Sequence, residues 1–224
     1  MLECPLMKRL RVEFHCHTSA SSDSLVNPAD LIRTCQEKGI DRVVITDHNV
    51  ISGALAAKKI APEMVIVGEE IKTTEGELLC AYVQEKIPKG LPPLEALSRL
   101  KAQGAFISVS HPFDASRKPW FKEGLDLIKS EIDAIEIFNA RSMPRSTNEK
   151  ARRYAADNSL AGTVGSDAHT LRELGAATML VPEFNGADEL KEAVLEAKYE
   201  LSHTGPWARL ASRYAAIRNN TRKN

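Results

Sequence analysis

Five of the six histidines in this chain follow directly on short apolar runs, a placement that narrows the possible folds sharply. Arg11-Val12-Glu13-Phe14 leads into His15-Cys16-His17, and Arg42-Val43-Val44-Ile45-Thr46 into Asp47-His48. Phe106-Ile107-Ser108-Val109-Ser110 leads into His111, and Ala161-Gly162-Thr163-Val164-Gly165-Ser166 into Asp167-Ala168-His169. In parallel α/β proteins, ligands and catalytic groups gather at the carboxyl ends of strands. The pattern therefore predicts a multi-metal site at one end of a parallel barrel or sheet.

Strand-like and helix-like segments alternate in support of this. Strands are expected at Arg11–His15, Asp41–Thr46, Met64–Val67, Ala105–Ser110, Ala134–Phe138 and Ala161–Val164, with a seventh at Ala177–Val181. A hairpin is expected from Glu70 to Val83 around a Glu75-Gly76 turn. Helices are expected at Pro28–Lys38, Ser52–Ile60, Pro93–Gln103, Leu125–Lys129 and Glu149–Asn158. The first has Asn27 as its cap, Pro28 in its first turn and Gly39 at its end. The βαβα order predicts an α/β fold built on a parallel sheet or barrel. The 224 residues suit one domain, and 43% apolar residues suffice for its core. From about residue 205 a basic helical tail follows, carrying Arg209, Arg213, Arg218, Arg222 and Lys223, expected as a solvated cover on the barrel bottom.

Charge removes some function classes. Lys plus Arg and Asp plus Glu both total 30, so nothing global favours nucleic acid or a membrane. No apolar run approaches the roughly 20 residues of a transmembrane helix. The N-terminus lacks the basic flank and apolar core of a signal peptide. Cys4, Cys16, Cys35 and Cys80 form no CxxC pair, which points to a reducing cytoplasm.

His15 and His17 stand two apart on a strand, so both rings face one side and can address one ion. Asp167 and His169 repeat that geometry. His48 ends a strand beside Asp47, which is placed to orient a neighbour. Of the adjacent Glu69 and Glu70 only one can face the site. Asp23, in the loop Ser19-Ala20-Ser21-Ser22-Asp23-Ser24, reads by itself as a turn residue. Mixed imidazole and carboxylate donors suit Zn, Mn or Fe rather than Ca or Mg. Two such ions stabilise both oxygens of a phosphoryl transfer and make water a nucleophile near neutral pH.

Together these segments resemble the PHP family, the polymerase and histidinol phosphatase domain. The resemblance runs from about Val12 to Val181. It is carried by Phe14-His15-Cys16-His17-Thr18 with Ser22-Asp23, Ile45-Thr46-Asp47-His48-Asn49, Gly68-Glu69-Glu70-Ile71, Ser110-His111-Pro112-Phe113 and Gly165-Ser166-Asp167-Ala168-His169. It implies a distorted (β/α)7 TIM-like barrel with two or three divalent ions. It also implies the ligands His15, His17, Asp23, His48, Glu70, His111, Asp167 and His169, choosing Glu70 over Glu69 as the bridge. Many members place a further histidine on the next strand; here that stretch reads Gly76-Glu77-Leu78-Leu79-Cys80-Ala81, and Glu77 is the nearest substitute. The chain lacks the large insertion of some nucleotide phosphatases of the family, so an open pocket is expected.

The expected function is hydrolysis of a phosphate monoester of a small metabolite or nucleotide. The nucleophile is a metal-bound water held by His15, His17, Glu70 and Asp167, with Asp47 behind them and no protein nucleophile. Arg117, Lys118 and Arg141 follow strands on the ligand face and suit phosphate, which guanidinium matches bidentately. The competing readings are an amidohydrolase-type metallohydrolase and a non-catalytic metal-binding regulatory module. Nucleic acid is possible as a partner but unsupported by charge, and no membrane partner is expected.

Overall fold

The computed structural model describes residues 8–205 and 207–221. Nine strands and seven helices follow one another in these residues. They are β1 (Arg9–Cys16), α1 (Pro28–Glu37), β2 (Arg42–Ile45), α2 (Ser52–Ile60), β3 (Val65–Lys72), β4 (Glu77–Ala81), α3 (Pro93–Ala102) and β5 (Phe106–Val109). Then come α4 (Lys122–Ile128), β6 (Ala134–Asn139), α5 (Ser146–Asp157), β7 (Ala161–Gly165), β8 (Ala177–Pro182), α6 (Ala187–Leu195), β9 (Lys198–Leu201) and α7 (Trp207–Thr221). No helix among the described residues is long and apolar enough to cross a membrane. Cys4, Arg222 and Lys223 lie outside the described residues.

Local rules account for the first unit. The Asn27 side chain accepts the Ala29 N–H at 2.9 Å, and Pro28 opens α1 without losing a donor. The helix then buries Leu31, Ile32 and Cys35 against β1–β3. Cys16 joins that same cluster, so the strand's alternation sends its neighbours His15 and His17 the other way.

The strands form one sheet in the order β7-β6-β5-β4-β3-β2-β1-β8-β9. Beyond β7 the chain returns to β1: Ala168 pairs with Cys16, and His17 N–H donates to Ala168 O at 2.8 Å. The sheet is thereby nearly closed into the expected distorted barrel. It is not wholly parallel. β1/β2, β2/β3, β5/β6 and β6/β7 are parallel, whereas β3/β4, β4/β5, β1/β8 and β8/β9 are antiparallel. The loop from Thr73 to Gly76 is too short for a crossover and must reverse the chain. The two segments expected at 64–67 and 70–74 are one continuous strand, β3. It passes β4 so closely at Gly68 that an added Cβ would meet Cys80 O at 2.5 Å. The helix α6 and the exposed strand β9 have no counterpart in the sequence expectations.

Three apolar clusters hold the barrel. One joins Val12, Phe14, Phe106, Phe138, Val164 and Met179, with Phe14 and Phe106 edge to face at 5.5 Å. A second packs α3 and α4 against β4–β6, and the third seats α1 and α2 on β1–β3.

The basic tail is not at the barrel bottom. α7 lies over the ligand end, because Arg141 donates to Ala208 O and Ser212 Oγ, and Asn219 Nδ2 donates to Ser22 O. This corrects the expectation of a solvated cover at the opposite end. It also gives the pocket a rim where an open mouth was expected.

Candidate metal centre

Strand ends β1, β3, β5 and β7 and the turn after β2 converge on one polar interior. Glu70, fully buried, is at its middle. Its Oε2 lies 2.9 Å from His48 Nδ1, 3.4 Å from His15 Nε2 and 3.5 Å from His17 Nε2. Its Oε1 lies 3.0 Å from His111 Nε2 and accepts the Ser110 hydroxyl at 2.7 Å. Asp167 Oδ1 lies 3.3 Å from His17 Nε2 and 3.6 Å from His15 Nε2. Asp23 Oδ2 approaches His169 Nε2 at 3.1 Å and His48 Nε2 at 3.4 Å. All eight implied ligands thus meet in one place. Glu77 joins them, its Oε2 3.5 Å from His111 Nε2.

Donor atoms fall into three groups, each within 4.8 Å internally: His17, His48 and His169; His15, His17 and Asp167; and Glu70, Glu77 and His111. Buried and without hydrogen-bond partners are His15 Nε2, His17 Nε2, Asp23 Oδ1, Glu70 Oε2 and Asp167 Oδ1. Burying so many orphaned polar atoms costs about 1–3 kcal/mol each unless something else satisfies them. Imidazole and carboxylate donors at this spacing fit divalent transition ions.

Burial and neighbouring charges pull the titratable groups of the site in opposite directions. Burial alone would push the His15 imidazole down, but the charges of Asp167, Glu70 and Glu136 hold it well above its ordinary range. Burial and the neighbouring His169 and His48 push His17 well below. Burial would raise the Asp167 carboxyl, but Arg117 and His15 draw it well down. Burial together with the charge on Glu70 raises Glu77. Asp167 also sits at φ 53°, a left-handed conformation that costs a non-glycine residue about 1–3 kcal/mol.

Glu69 faces away and accepts the Ile87 N–H at 2.9 Å, so the choice of Glu70 matches the geometry. Asp47 touches no histidine ring. It accepts the Thr18 N–H, the Thr18 hydroxyl and the Ser21 hydroxyl, each at 2.7 Å. Ser21 in turn stands 3.3 Å from His17 Nδ1 and accepts the His48 N–H at 3.0 Å. Arg117 forms an ion pair with Asp167 and lies 3.1 Å from His111 Nε2. Lys118 is exposed, donates to Thr74 O and lines the mouth. Arg141 also borders the mouth, but it is 5% exposed and its donors are taken by Ala208 O, Ser212 and Asp167 O, with Glu173 beside Nε. It is a tether for α7 rather than a free clamp, which corrects its assignment to phosphate.

Sequence reasoning gave no role to Glu136. Its Oε1 accepts from His15 Nδ1 at 2.9 Å, and its Oε2 accepts the His111 N–H at 2.7 Å and Asn139 Nδ2 at 3.2 Å. The available signal was an acid inside the apolar strand Ala134-Ile135-Glu136-Ile137-Phe138. Ser21, Ser110, Asn139 and Glu173 left no signal of that kind.

The mouth is a cavity of about 300 Å³ bordered by Asp23, His48, Lys72, Glu77, Arg117 and Lys118. A larger cavity of about 760 Å³ lies by the N-terminal end of α7, lined by Thr170, Leu174, His203 and Trp207. None of the converging donors reaches it, so the chemistry belongs to the smaller one.

Fold and site together define a distorted α/β barrel with a buried histidine and carboxylate centre at one strand end. The chain belongs to the PHP family: a family model described as PHP-associated matches residues 145–199. Among curated proteins it is similar to two uncharacterized proteins of Methanocaldococcus jannaschii. MJ1587 is 35% identical over 144 residues, covering 58% of this chain and 82% of that protein. MJ0417 is 35% identical over 181 residues, covering 79% and 72%. Among solved structures, PsfC from Pseudomonas syringae superposes with a TM-score of 0.68 at 15% identity, covering 96% of this chain and 99% of that one. A Bifidobacterium adolescentis protein proposed to be a metal-dependent phosphoesterase gives 0.62 at 17% identity, covering 86% and 97%. The lesion-specific endonuclease PfuEndoQ from Pyrococcus furiosus gives 0.63 at 16% identity, covering 86% of this chain and 58% of that one.

Proposed function

We propose that this protein is a metal-dependent hydrolase of phosphate esters, acting on a monoester of a small metabolite or nucleotide. The observation that carries this is the set of buried, unpartnered donors on His15, His17, Asp23, Glu70 and Asp167, all facing one interior. These residues with His48, His111, His169 and Glu77 would hold two or three ions of Zn, Mn or Fe. When bound, the ions supply Lewis acidity and a water nucleophile near neutral pH.

The chain's own residues do the rest. Glu136 fixes the His15 ring by accepting from Nδ1, which leaves Nε2 free to ligate. Ser110 orients Glu70, and Asn139 orients Asp167 by donating to Oδ2 at 3.2 Å. Arg117 reaches the centre from the loop after β5, and Lys118 and Lys72 border the mouth. Three cations at so small an opening favour a phosphate dianion over a neutral amide. The hydroxyls nearest the centre, Ser110 and Ser21, donate to the carboxylates of Glu70 and Asp47, which leaves water as the attacking group. The buried free thiols Cys16, Cys35 and Cys80 suit a reducing cytoplasm.

The test is metal analysis of protein purified without added metal, followed by a phosphate-release panel. Phosphomonoesters, a single-stranded oligonucleotide and cyclic amides form its arms. Roughly two or three ions per chain and turnover of a monoester are expected. Metal-free protein, or turnover of the amides alone, overturns the reading.

A further inference from the structure

We propose that α7 is a clasp that sets one particular metal position, the one formed by Asp23, His48 and His169. The inference rests on the metal reading above and goes beyond it, because α7 contributes no candidate ligand.

The inward face of α7 carries Ala208, Ser212 and Ala215, all buried. Side chains this small bring the helix backbone close to the barrel, within reach of the residues behind the site. Arg141 makes the first connection. Its Nη2 donates to Ala208 O at 3.1 Å and Ser212 Oγ at 2.8 Å, while its Nη1 donates to Asp167 O at 3.3 Å and packs against His169 Nδ1. Its Nε faces Glu173 Oε1 at 3.4 Å, and Glu173 Oε2 accepts the His169 N–H at 3.1 Å. One buried charge therefore joins two turns of α7 to the segment that presents His169.

The second connection is at the other end of the helix. Asn219 Nδ2 donates to Ser22 O at 2.9 Å and to Ser24 O at 3.3 Å, the two carbonyls that bracket Asp23. The base of that loop is held from within, through Ser24 Oγ to His17 O at 3.1 Å. Its acidic tip is what α7 grips.

The contrast with the remaining donors makes the effect selective. His15 and Glu70 sit on β1 and β3, where ladder hydrogen bonds on both sides fix the backbone. His17, His48 and Asp167 stand just past strand ends but are pinned there by the bridges Cys16–Ala168 and His48–Glu70, and His111 by its N–H to Glu136, whereas Asp23 and His169 lie on loops outside any strand or bridge. Loosening α7 therefore frees two donors of one ion and leaves in place the donors held by strands, bridges and Glu136. Linkage makes the coupling reciprocal: an ion held more tightly by a docked α7 must hold α7 docked by the same factor.

The experiment uses the full-length chain stripped with a chelator and titrated with Mn²⁺ by calorimetry, with occupancy counted by mass spectrometry. Asn219→Ala and Ser212→Ala are compared with the parent, and thermal melts check that each is folded. The expected result is about a tenfold loss of affinity in one class of site, the usual scale for removing support behind a ligand, with the other class unchanged. Trypsin supplies a second readout, since Arg213 and Arg218 on α7 are exposed. Mn²⁺ should slow cleavage there in the parent and fail to do so in His48→Ala. Folded variants that titrate like the parent, or cleavage that ignores the metal, would overturn the clasp. A parent that takes up no metal overturns the metal reading as well, and the first titration tells the two failures apart.

Discussion

Replacing Glu136 by Gln is the sharpest test of how the centre is organised, because the change conserves shape and alters only donors and acceptors. Glu136 is 1% exposed and uses both oxygens as acceptors: Oε1 for His15 Nδ1 at 2.9 Å, Oε2 for His111 N–H at 2.7 Å and Asn139 Nδ2 at 3.2 Å. A glutamine offers one oxygen and one NH₂. If the NH₂ faces His111, two donors oppose each other in a dry interior, at a cost of about 1–3 kcal/mol. If it faces His15, Nδ1 must become the acceptor, and the ring proton moves to Nε2. That nitrogen lies 3.4 Å from Glu70 and 3.6 Å from Asp167 and can no longer serve as a ligand. Either choice should weaken metal binding by about 10- to 100-fold, equivalent to about 1.4–2.8 kcal/mol. Competition against a chelating dye measures the affinity, and thermal melts with and without chelator separate it from folding. Melting in chelator should change little or fall modestly, whereas the metal-induced rise in Tm should shrink. A Glu136→Gln protein with the parent's metal affinity would show that the His15 tautomer is not controlled from β6.

Gly165→Ala should cost about 1–3 kcal/mol of stability and displace His15, since the new Cβ would lie 2.3 Å from His15 Cβ and 2.8 Å from Glu136 Oε1; denaturant titration and metal content check both. Burial pushes the Glu69 carboxyl up to about 7, against the opposing Ile87 N–H and Lys86. A folded value above the unfolded one means stability is lost as pH rises from about 4.5 through 7. Glu69→Gln should then match the parent near pH 4.5 and exceed it by about 3 kcal/mol above pH 7, and equal stabilities at pH 8 would contradict this. Arg117→Ala should raise KM for the best phosphate ester while metal binding holds or tightens, because the guanidinium competes for Asp167. Lysine there should restore only part of the loss, and steady-state kinetics in which neither parameter moves would reduce Arg117 to a structural ion pair.

The two histidine-bearing pairs at the candidate site were legible in the sequence because their signals are local, whereas Asp23 and the choice of Glu70 over Glu69 rested on the family resemblance alone. His15 and His17 alternate around Cys16, Asp167 and His169 repeat the spacing, and each pair closes an apolar run that can only be a buried strand. The strands and most helices were legible for the same reason: period, caps and turn residues act over a few positions. Direction was not. Beyond the β3/β4 hairpin, whether β5 and β8 run with or against their neighbours depends on which strands pair, and pairing is decided by contacts far apart in the chain. The placement of α7 over the mouth was equally hidden, since its inward Ala208, Ser212 and Ala215 are too small to mark a binding face. Arg141 looked like a phosphate clamp because an arginine after a strand carries no record of what will occupy its donors. Glu136 showed only as an acid in an apolar strand, because a carboxylate's role rests on which imidazole it meets, and His15 lies 121 positions away. Residue chemistry and short-range spacing thus pointed to the paired candidate donors, while strand pairing and helix docking decided which groups stand behind them, because those partners are brought together only by long-range packing.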